Sequence, residues 1–389
     1  MFLHSLSLTN LLSFGPEPAT IDLKPLNVII GPNGSGKSNL VEAIALLQSA
    51  PTQLALPVRE GGGIRDWLWK GETRHPEASI EVIIDDQVFP DNPLRHVVSF
   101  TESAQRFQLV DERIERKKAL PDKDHPYFFY KYQKGHPILD TKELGERELK
   151  REEVNPELSI LSQRKDPDLY PELTYLGEMY SKIMIYREWS FGRYTPPRTP
   201  QKSDLPNNFL MEDFSNLGLV LNRLRREPEV KKRLLDAIKI LYDGIDDLDM
   251  IIEGGTVQIF FQEGKFIIPA TRLSDGTLRY LCLLAILLNP NPPPLVCIEE
   301  PELGLHPDVI SKIPQLLSEY SRVGQLIVTT HSDVLVDALT ETPESVIVCE
   351  KHQGMTKLKR LEKEKLSVWL EKYTLGQLWQ KGEIGGNRW

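Results

Sequence analysis

Cysteine is scarce: Cys282, Cys297 and Cys349 are the only three in 389 residues. Each lies in an apolar segment, which excludes a disulfide framework and fits a reducing cytosol. The opening Met-Phe-Leu-His-Ser-Leu lacks the basic flank and apolar run of a secretory signal. Long hydrophobic runs are missing as well, since the longest, Tyr280 to Leu288, is about half what a membrane-spanning helix needs. Nor is there an excess of positive charge. Lys and Arg number 47 against 56 Asp and Glu, a formal net charge of −9, so there is no general basic coat for nucleic acid, only room for local patches. Internal repeats and sustained heptads are absent, which excludes a long coiled coil. What remains is a folded, non-membrane, cytosolic protein, 40% hydrophobic and 26% charged, with roughly two to three domains' worth of chain.

The hydrophobic pattern then supplies an order of elements. Leu26-Asn-Val-Ile-Ile30 is short and β-branched, as a buried strand requires. Gly31 to Gly36 interrupts it, and from Lys37 the residues Leu40, Val41, Ile44 and Leu47 recur at helical spacing. Ile80 to Ile84, Val97 to Phe100, Phe107 to Val110 and Tyr127 to Tyr132 read as strands between turn residues. Thr141 to about Lys165 is charged, Ile183 to Trp189 is a further strand, and Tyr194 to Pro200, with three prolines, is a surface loop. Helices are expected around Phe214 to Arg226 and Pro228 to Tyr242. A hairpin around Glu263-Gly264 follows, then a helix from Thr277 to Leu288, a Pro-rich loop and a strand from Leu295 to Ile298. A helix after Pro307, kinked or shortened at Pro314, precedes strands at Leu326 to Thr330 and Val346 to Cys349. Alternating strands and helices imply an α/β fold with a mainly parallel sheet covered on both faces, beside an antiparallel β-subdomain and a helical insertion. On this reading residues 1–140 and 236–389 form one discontinuous head, and 141–235 are a charged, helical insertion with a Pro-rich loop.

Three motifs carry chemistry. Gly31-Pro-Asn33-Gly34-Ser35-Gly36-Lys37-Ser38 fits the Walker A pattern and lies between strand and helix. Its glycines let backbone N–H groups converge on phosphate oxygens at a helix N-terminus, from Asn33 through Asn39. Lys37 reaches the β/γ-phosphates and the Ser38 hydroxyl ligates Mg²⁺. Leu295-Val-Cys-Ile298 runs into Glu299-Glu300-Pro-Glu302, the Walker B layout, in which Glu299 holds Mg²⁺ and Glu300 orients or deprotonates the attacking water. Glu stands where Asp is usual in the first acidic position. Leu326-Ile-Val-Thr-Thr330 ends at His331, placed to touch the γ-phosphate or position water. Arg272-Leu-Ser274-Asp275-Gly276-Thr277 precedes an apolar helix. Ser274 and Asp275 suit an N-cap, and the Ser-x-Gly loop can also present N–H groups and a hydroxyl to a γ-phosphate.

This order of motifs resembles the ABC-type ATPase heads of the SMC, RecF and OLD-nuclease group, over about residues 1–60 and 250–350. Leu273-Ser-Asp-Gly-Thr277 resembles their Leu-Ser-Gly-Gly-Gln signature, departing at Asp275 and Thr277. Glu299-Glu-Pro-Glu-Leu-Gly-Leu-His-Pro307 is similar to the OLD and RecF-like Walker B and D-loop, and Leu11-Leu-Ser-Phe14 to the start of SMC heads. The resemblance implies ATP and Mg²⁺ as cofactors and an ATP sandwich between two heads, with Ser274 and Gly276 acting in trans. Gln48, Gln87 and Gln105 are open candidates for the glutamine such heads carry.

With no coiled coil, and about forty residues after Cys349, the expectation is an ATPase that does not itself cut DNA. It would act in DNA repair or anti-phage defence, with a nuclease-like effector on another chain. An ATP-gated sensor or scaffold is the alternative, and a transporter nucleotide-binding subunit a further one. Arg223, Arg225, Arg226, Lys231, Lys232 and Arg233 form one local basic patch and Arg113, Arg116, Lys117 and Lys118 another. Each is either a solvated face or a set of DNA phosphate contacts. The tail from Trp379 to Trp389 either docks on its own head or serves a partner.

Overall fold

A computed structural model describes residues 1–71, 76–86, 91–119, 123–133, 135–141, 145–149 and 154–386. Gln87, Asn387 to Trp389 and parts of the charged stretch after Thr141 lie outside the described residues. The chain divides by packing into two compact units, one made of residues 1–183, 347–361 and 384–389, the other of 184–346 and 362–383. Residues 141–235, read from sequence as an insertion, contribute to both.

In the first unit an antiparallel sheet runs in the order Ala19–Asp22, Leu3–Thr9, Ala78–Ile84, Leu94–Ser103, Arg106–Ala119, Pro126–Gln133, His136–Thr141, Gly145–Glu148. Alternation drives it: Leu6, Leu8, Ile80, Val82, Val98 and Phe100 are fully buried, on one side of a pleat whose period is two residues. The same unit holds the strand Leu26–Ile30, buried at every position, and the helix Lys37–Ser49 that follows the glycine loop. A hairpin of Val346–His352 with Met355–Arg360 lies beside that strand in sheet order.

The second unit is built on parallel strands in the order Met184–Tyr186, Val296–Glu299, Leu326–Thr329. The helix Asp275–Leu287 is buried from Leu278 to its end, so its apolar run is core rather than membrane. Among the described residues no helix is long and apolar enough to cross a membrane. Pro314 breaks the helical segment instead of kinking it. Pro307–Ile310 and Ile313–Tyr320 are separate helices, and Pro314 sits in the first turn of the second, where its missing N–H costs nothing. The expected hairpin forms between Thr256–Glu263 and Phe266–Pro269, and Asp247–Glu253 pairs on the other side of Thr256–Glu263.

Candidate functional site

Each unit carries one set of the sequence motifs. In the first, the buried strand Leu26–Ile30 delivers the phosphate loop to the start of the helix Lys37–Ser49. Gly34 and Gly36 have φ of 78° and 109°, left-handed values open to glycine. At Gly36 space matters as well, because a Cβ would sit 2.2 Å from Thr356 Oγ1. Gly36 caps the helix without a side-chain hydrogen bond, so the first N–H groups have no side-chain acceptor at the cap. Lys37 is buried, and its Nζ donates to the carbonyls of Gly31 (2.8 Å) and Pro32 (3.2 Å). Asn33, Gly34 and Ser38 are exposed on the loop, whereas Ser35 is buried.

The loop is braced from far along the chain. Thr356 Oγ1 donates to the Ser35 carbonyl at 2.7 Å and lies 2.6 Å from Ser13 Oγ. Asn39 Nδ2 in turn donates to Ser13 Oγ at 2.6 Å, and Thr356 N donates to the Ser13 carbonyl. Asn39, expected at the phosphate, therefore has its amide on this brace. Ser13 belongs to the Leu11-Leu-Ser-Phe14 stretch, in which Leu11 and Phe14 are fully buried. Thr356 had no signal in the sequence at all. Among the glutamine candidates, Gln48 donates to the Ile183 carbonyl at 2.7 Å, and Gln105 sits in a hairpin turn with φ of 64°.

In the second unit the parallel strands end together. Glu299 is in register with Thr329, and Glu300 N donates to the Thr329 carbonyl at 2.9 Å. This brings Glu299, Glu300, Thr330 and His331 to one edge, the carboxyl ends where α/β sheets place ligands. Glu300 Oε1 lies 3.5 Å from His331 Nε2, with both side chains about one-third exposed. Glu302 is buried, and one oxygen accepts from Thr330 Oγ1 (2.6 Å) and His331 N (2.9 Å). It holds the turn on which His331 stands. Behind the acids, Trp189 Nε1 donates to the Glu299 carbonyl (2.9 Å) and Arg279 to the Glu300 carbonyl (2.7 Å). Sequence reasoning missed both residues; they lie in segments that read only as strand end and apolar helix.

Ser274 is the N-cap of the helix Asp275–Leu287. Its Oγ accepts from Thr277 N at 3.1 Å and lies 2.8 Å from Thr277 Oγ1, and the side chain is exposed. Thus Thr277, one of the two departures from the signature pattern, completes the cap. A Cβ at Gly276 would lie 2.8 Å from the Gly304 carbonyl, so the signature helix start and the turn after Glu302 pack too closely for a larger residue.

About half of the residues in the basic patches are paired with carboxylates of the same chain, while Lys117, Lys118, Arg226 and Lys232 are exposed. Arg116 is buried on Asp86 and stacks over Phe129, while Arg113 pairs with Asp111 at 3.0 Å. Arg225 pairs with Asp249, Lys231 with Asp247 and Arg233 with Glu319. Arg223 donates to the carbonyls of Asn207 and Asn208 and to the Asn289 side chain. In the tail, Leu378 and Trp379 are buried in the second unit, and Gly386 N donates to Glu350 in the first.

Comparison with known proteins bears on the family and the fold. Residues 26–337 match the family described as "AAA domain, putative AbiEii toxin, Type IV TA system". The chromosome partition protein Smc of Mycolicibacterium paratuberculosis is 37% identical over 98 residues, covering 24% of this chain and 8% of that protein. That of Halothermothrix orenii is 35% identical over 91 residues, 22% of this chain and 7% of its own. The chain thus matches under a tenth of the length of these curated relatives. Among solved structures, an Smc head bound to the C-winged helix domain of ScpA aligns with a TM-score of 0.57 at 16% identity, covering 94% of this chain and 99% of that one. An Smc head with an extended coiled coil, bound to the C-terminal domain of ScpA and derived from Pyrococcus furiosus, gives 0.57 at 15%, covering 95% and 99%. The chain belongs to the AAA-domain family that its residues 26–337 match, and its fold is that of an SMC-type ATPase head.

Proposed function

We propose that this head binds ATP with Mg²⁺, closes on a second copy around the nucleotide, and hydrolyses it to reopen. The observation that carries the reading is the phosphate loop: left-handed glycines, an uncapped helix start and a buried Lys37 at its centre. Lys37, freed from the carbonyls of Gly31 and Pro32, would take the β/γ-phosphates. Glu300 accepts the proton of the attacking water, and His331 beside it steadies the same water or the γ-phosphate. Ser274, exposed at a helix N-terminus, serves the γ-phosphate of the partner copy.

The donor set suits Mg²⁺. Among the described residues no cluster of three or more His, Cys, Asp or Glu could cage a metal. Ser38 offers such an ion a hydroxyl and Glu299 a carboxylate, the hard oxygen donors that Mg²⁺ accepts beside phosphate oxygens. When bound it neutralises charge on the phosphates.

The same reading places the head in DNA repair or anti-phage defence in the cytosol, with an effector on another chain. It is supported by the likeness to chromosome partition proteins and by a family description that names a toxin–antitoxin system. The basic patches add little to it, because Arg113, Arg116, Arg225, Lys231 and Arg233 are already paired with carboxylates of the same chain.

The test is turnover and sedimentation with ATP and ADP for Glu300→Gln, Ser274→Arg and their mixture. Glu300→Gln should hold ATP and stop turnover, since an amide cannot take the proton. Ser274→Arg should block closure while the monomer still binds ATP. In an enforced mixed dimer one composite site carries both lesions and the other neither, so about half the activity should return. Binding without turnover in the unaltered protein would leave an ATP-gated sensor. Turnover at one rate at every protein concentration would sink the sandwich.

A further inference from the structure

Two consecutive carbonyls at the end of the acidic strand are gripped by one stacked pair of side chains. Trp189 Nε1 donates to the Glu299 carbonyl at 2.9 Å, and Arg279 donates to the Glu300 carbonyl at 2.7 Å. The Arg279 guanidinium lies over the indole of Trp189, 4.4 Å from the ring centroid, so each donor steadies the other.

Glu300 needs that grip. Its φ is +47°, a left-handed backbone that a residue with a Cβ keeps only where its surroundings enforce it. The bend sets the Glu300 carboxylate 3.5 Å from His331 Nε2.

Arg279 is a costly residue to place there. It is only 7% exposed, and its Nε has no hydrogen-bond partner among the described residues. Burial pulls its pKa down to about 10, opposed by the charges of Glu302 and Glu300, so it stays cationic at neutral pH. A leucine would fill an apolar helix more cheaply. Arg279 also sits on the helix that Ser274 caps, little more than one turn beyond it.

We propose that Arg279, locked by Trp189, is a positioning residue that ties the signature helix to the backbone of Glu300 and so aims the hydrolytic carboxylate. The proposal rests on the reading of Glu300 as the base. A shift of the signature helix on closure would move the Glu300 carbonyl directly. Hydrolysis would thereby depend on the state of Ser274 without any contact between Ser274 and its own head's base.

The experiment measures kcat and KM for ATP in Arg279→Met, Arg279→Lys, Trp189→Phe and the Met/Phe double variant, with Glu300→Gln alongside. Thermal unfolding and ATP affinity are followed for each. Trp189→Phe keeps an aromatic face for the guanidinium but replaces the indole with a smaller ring that has no N–H, so it tests the idea even if Arg279→Met folds poorly. Misaiming a catalytic group by about 1 Å costs on the order of 100-fold, so Arg279→Met should lower kcat roughly 10–100-fold. KM should stay within about twofold, since phosphate binding is untouched. Arg279→Lys, which keeps a donor and the cation, should recover part of kcat. The double variant should be little worse than Arg279→Met, because the two donors act as one unit. If Glu300→Gln stops turnover while Arg279→Met and Trp189→Phe keep near-normal kcat, the positioning role is wrong. ATP affinity falling in step with kcat would likewise reduce both residues to scaffolding. Normal turnover in Glu300→Gln would instead overturn the assignment of the base.

Discussion

Arg198 forms an ion pair with Asp275 at the start of the helix that Ser274 caps. A second guanidinium nitrogen donates to the Leu273 carbonyl at 2.5 Å, and Nε donates to the Phe191 carbonyl at 2.8 Å. The proline-rich stretch from Tyr194 to Pro200 is therefore a clamp on the signature loop rather than a bare surface loop. Asp275, which departs from the Leu-Ser-Gly-Gly-Gln pattern, is the anchor of that clamp.

Releasing the clamp should loosen Ser274 without touching the phosphate loop. Arg198→Ala removes a charge-assisted contact worth about 1.5–3 kcal/mol. ATP-driven dimerisation should weaken about tenfold or more, while ATP affinity of the monomer holds. Sedimentation equilibrium with ATP decides this, and an unchanged dimer constant would show the clamp to be idle.

Lys37→Ala should abolish tight ATP binding. The loss is roughly 2–5 kcal/mol if the phosphate contact is desolvated, by analogy with buried charge pairs. Titration with a fluorescent nucleotide reads it directly. Affinity retained within about twofold would remove the phosphate-loop assignment.

Thr356→Val keeps the shape and deletes the hydroxyl that the Ser35 carbonyl accepts from. A buried acceptor left without its donor costs about 1–3 kcal/mol. The same variant should weaken ATP binding, because the loop loses its brace. Urea unfolding and nucleotide titration should move together, and a drop in stability alone would confine Thr356 to packing.

Glu302→Ala should leave the Thr330 hydroxyl and His331 N without their acceptor, at about 1–3 kcal/mol of stability. Turnover should fall with it as His331 loses its seat. Glu302→Gln, which still accepts both bonds, should be close to the unaltered protein, and a full loss of turnover there would give Glu302 a direct part in the chemistry.

Arg116→Leu should unfold the first unit far more readily rather than alter a nucleic-acid contact. Breaking a buried ion pair from one side costs about 3–5 kcal/mol, here the pair with Asp86. Guanidinium denaturation checks the size of the loss. A variant as stable as the parent would return Arg116 to the list of surface cations.

Some of this was local and therefore legible in the chain. Leu26–Ile30, the glycine loop and the helix from Lys37 stand where period and composition place them, because a buried strand, a left-handed turn and an amphipathic helix are each written over a few neighbouring residues. Likewise Glu299, Glu300 and His331 follow short apolar strands, and parallel strands ending in register bring them to one edge. Other features were not readable. Asp247–Glu253 mixes acids with Leu248, Met250, Ile251 and Ile252 and lacks a clean alternation, yet it is a strand because Thr256–Glu263 offers it a partner. Pro171–Ser181 is a helix with Leu173, Leu176 and Tyr180 buried at helical spacing, a short run that sequence reasoning missed.

The sequence by itself determined the motifs: the glycine loop before Lys37, the acids after Ile298, the histidine after Thr330, and the order in which they come. Only the tertiary structure decided which residues aim them. Thr356 reaches Ser35 across 321 positions, Arg198 reaches Asp275 across 77, and Arg279 reaches Glu300 across 21. It also decided that Arg116, Arg225 and Arg233 pair with carboxylates of their own chain, Arg116 buried in its pair. The physical reason is that a motif is made of neighbours, whereas a hydrogen bond to a distant carbonyl or carboxylate exists only once packing has brought the partners within about 3 Å.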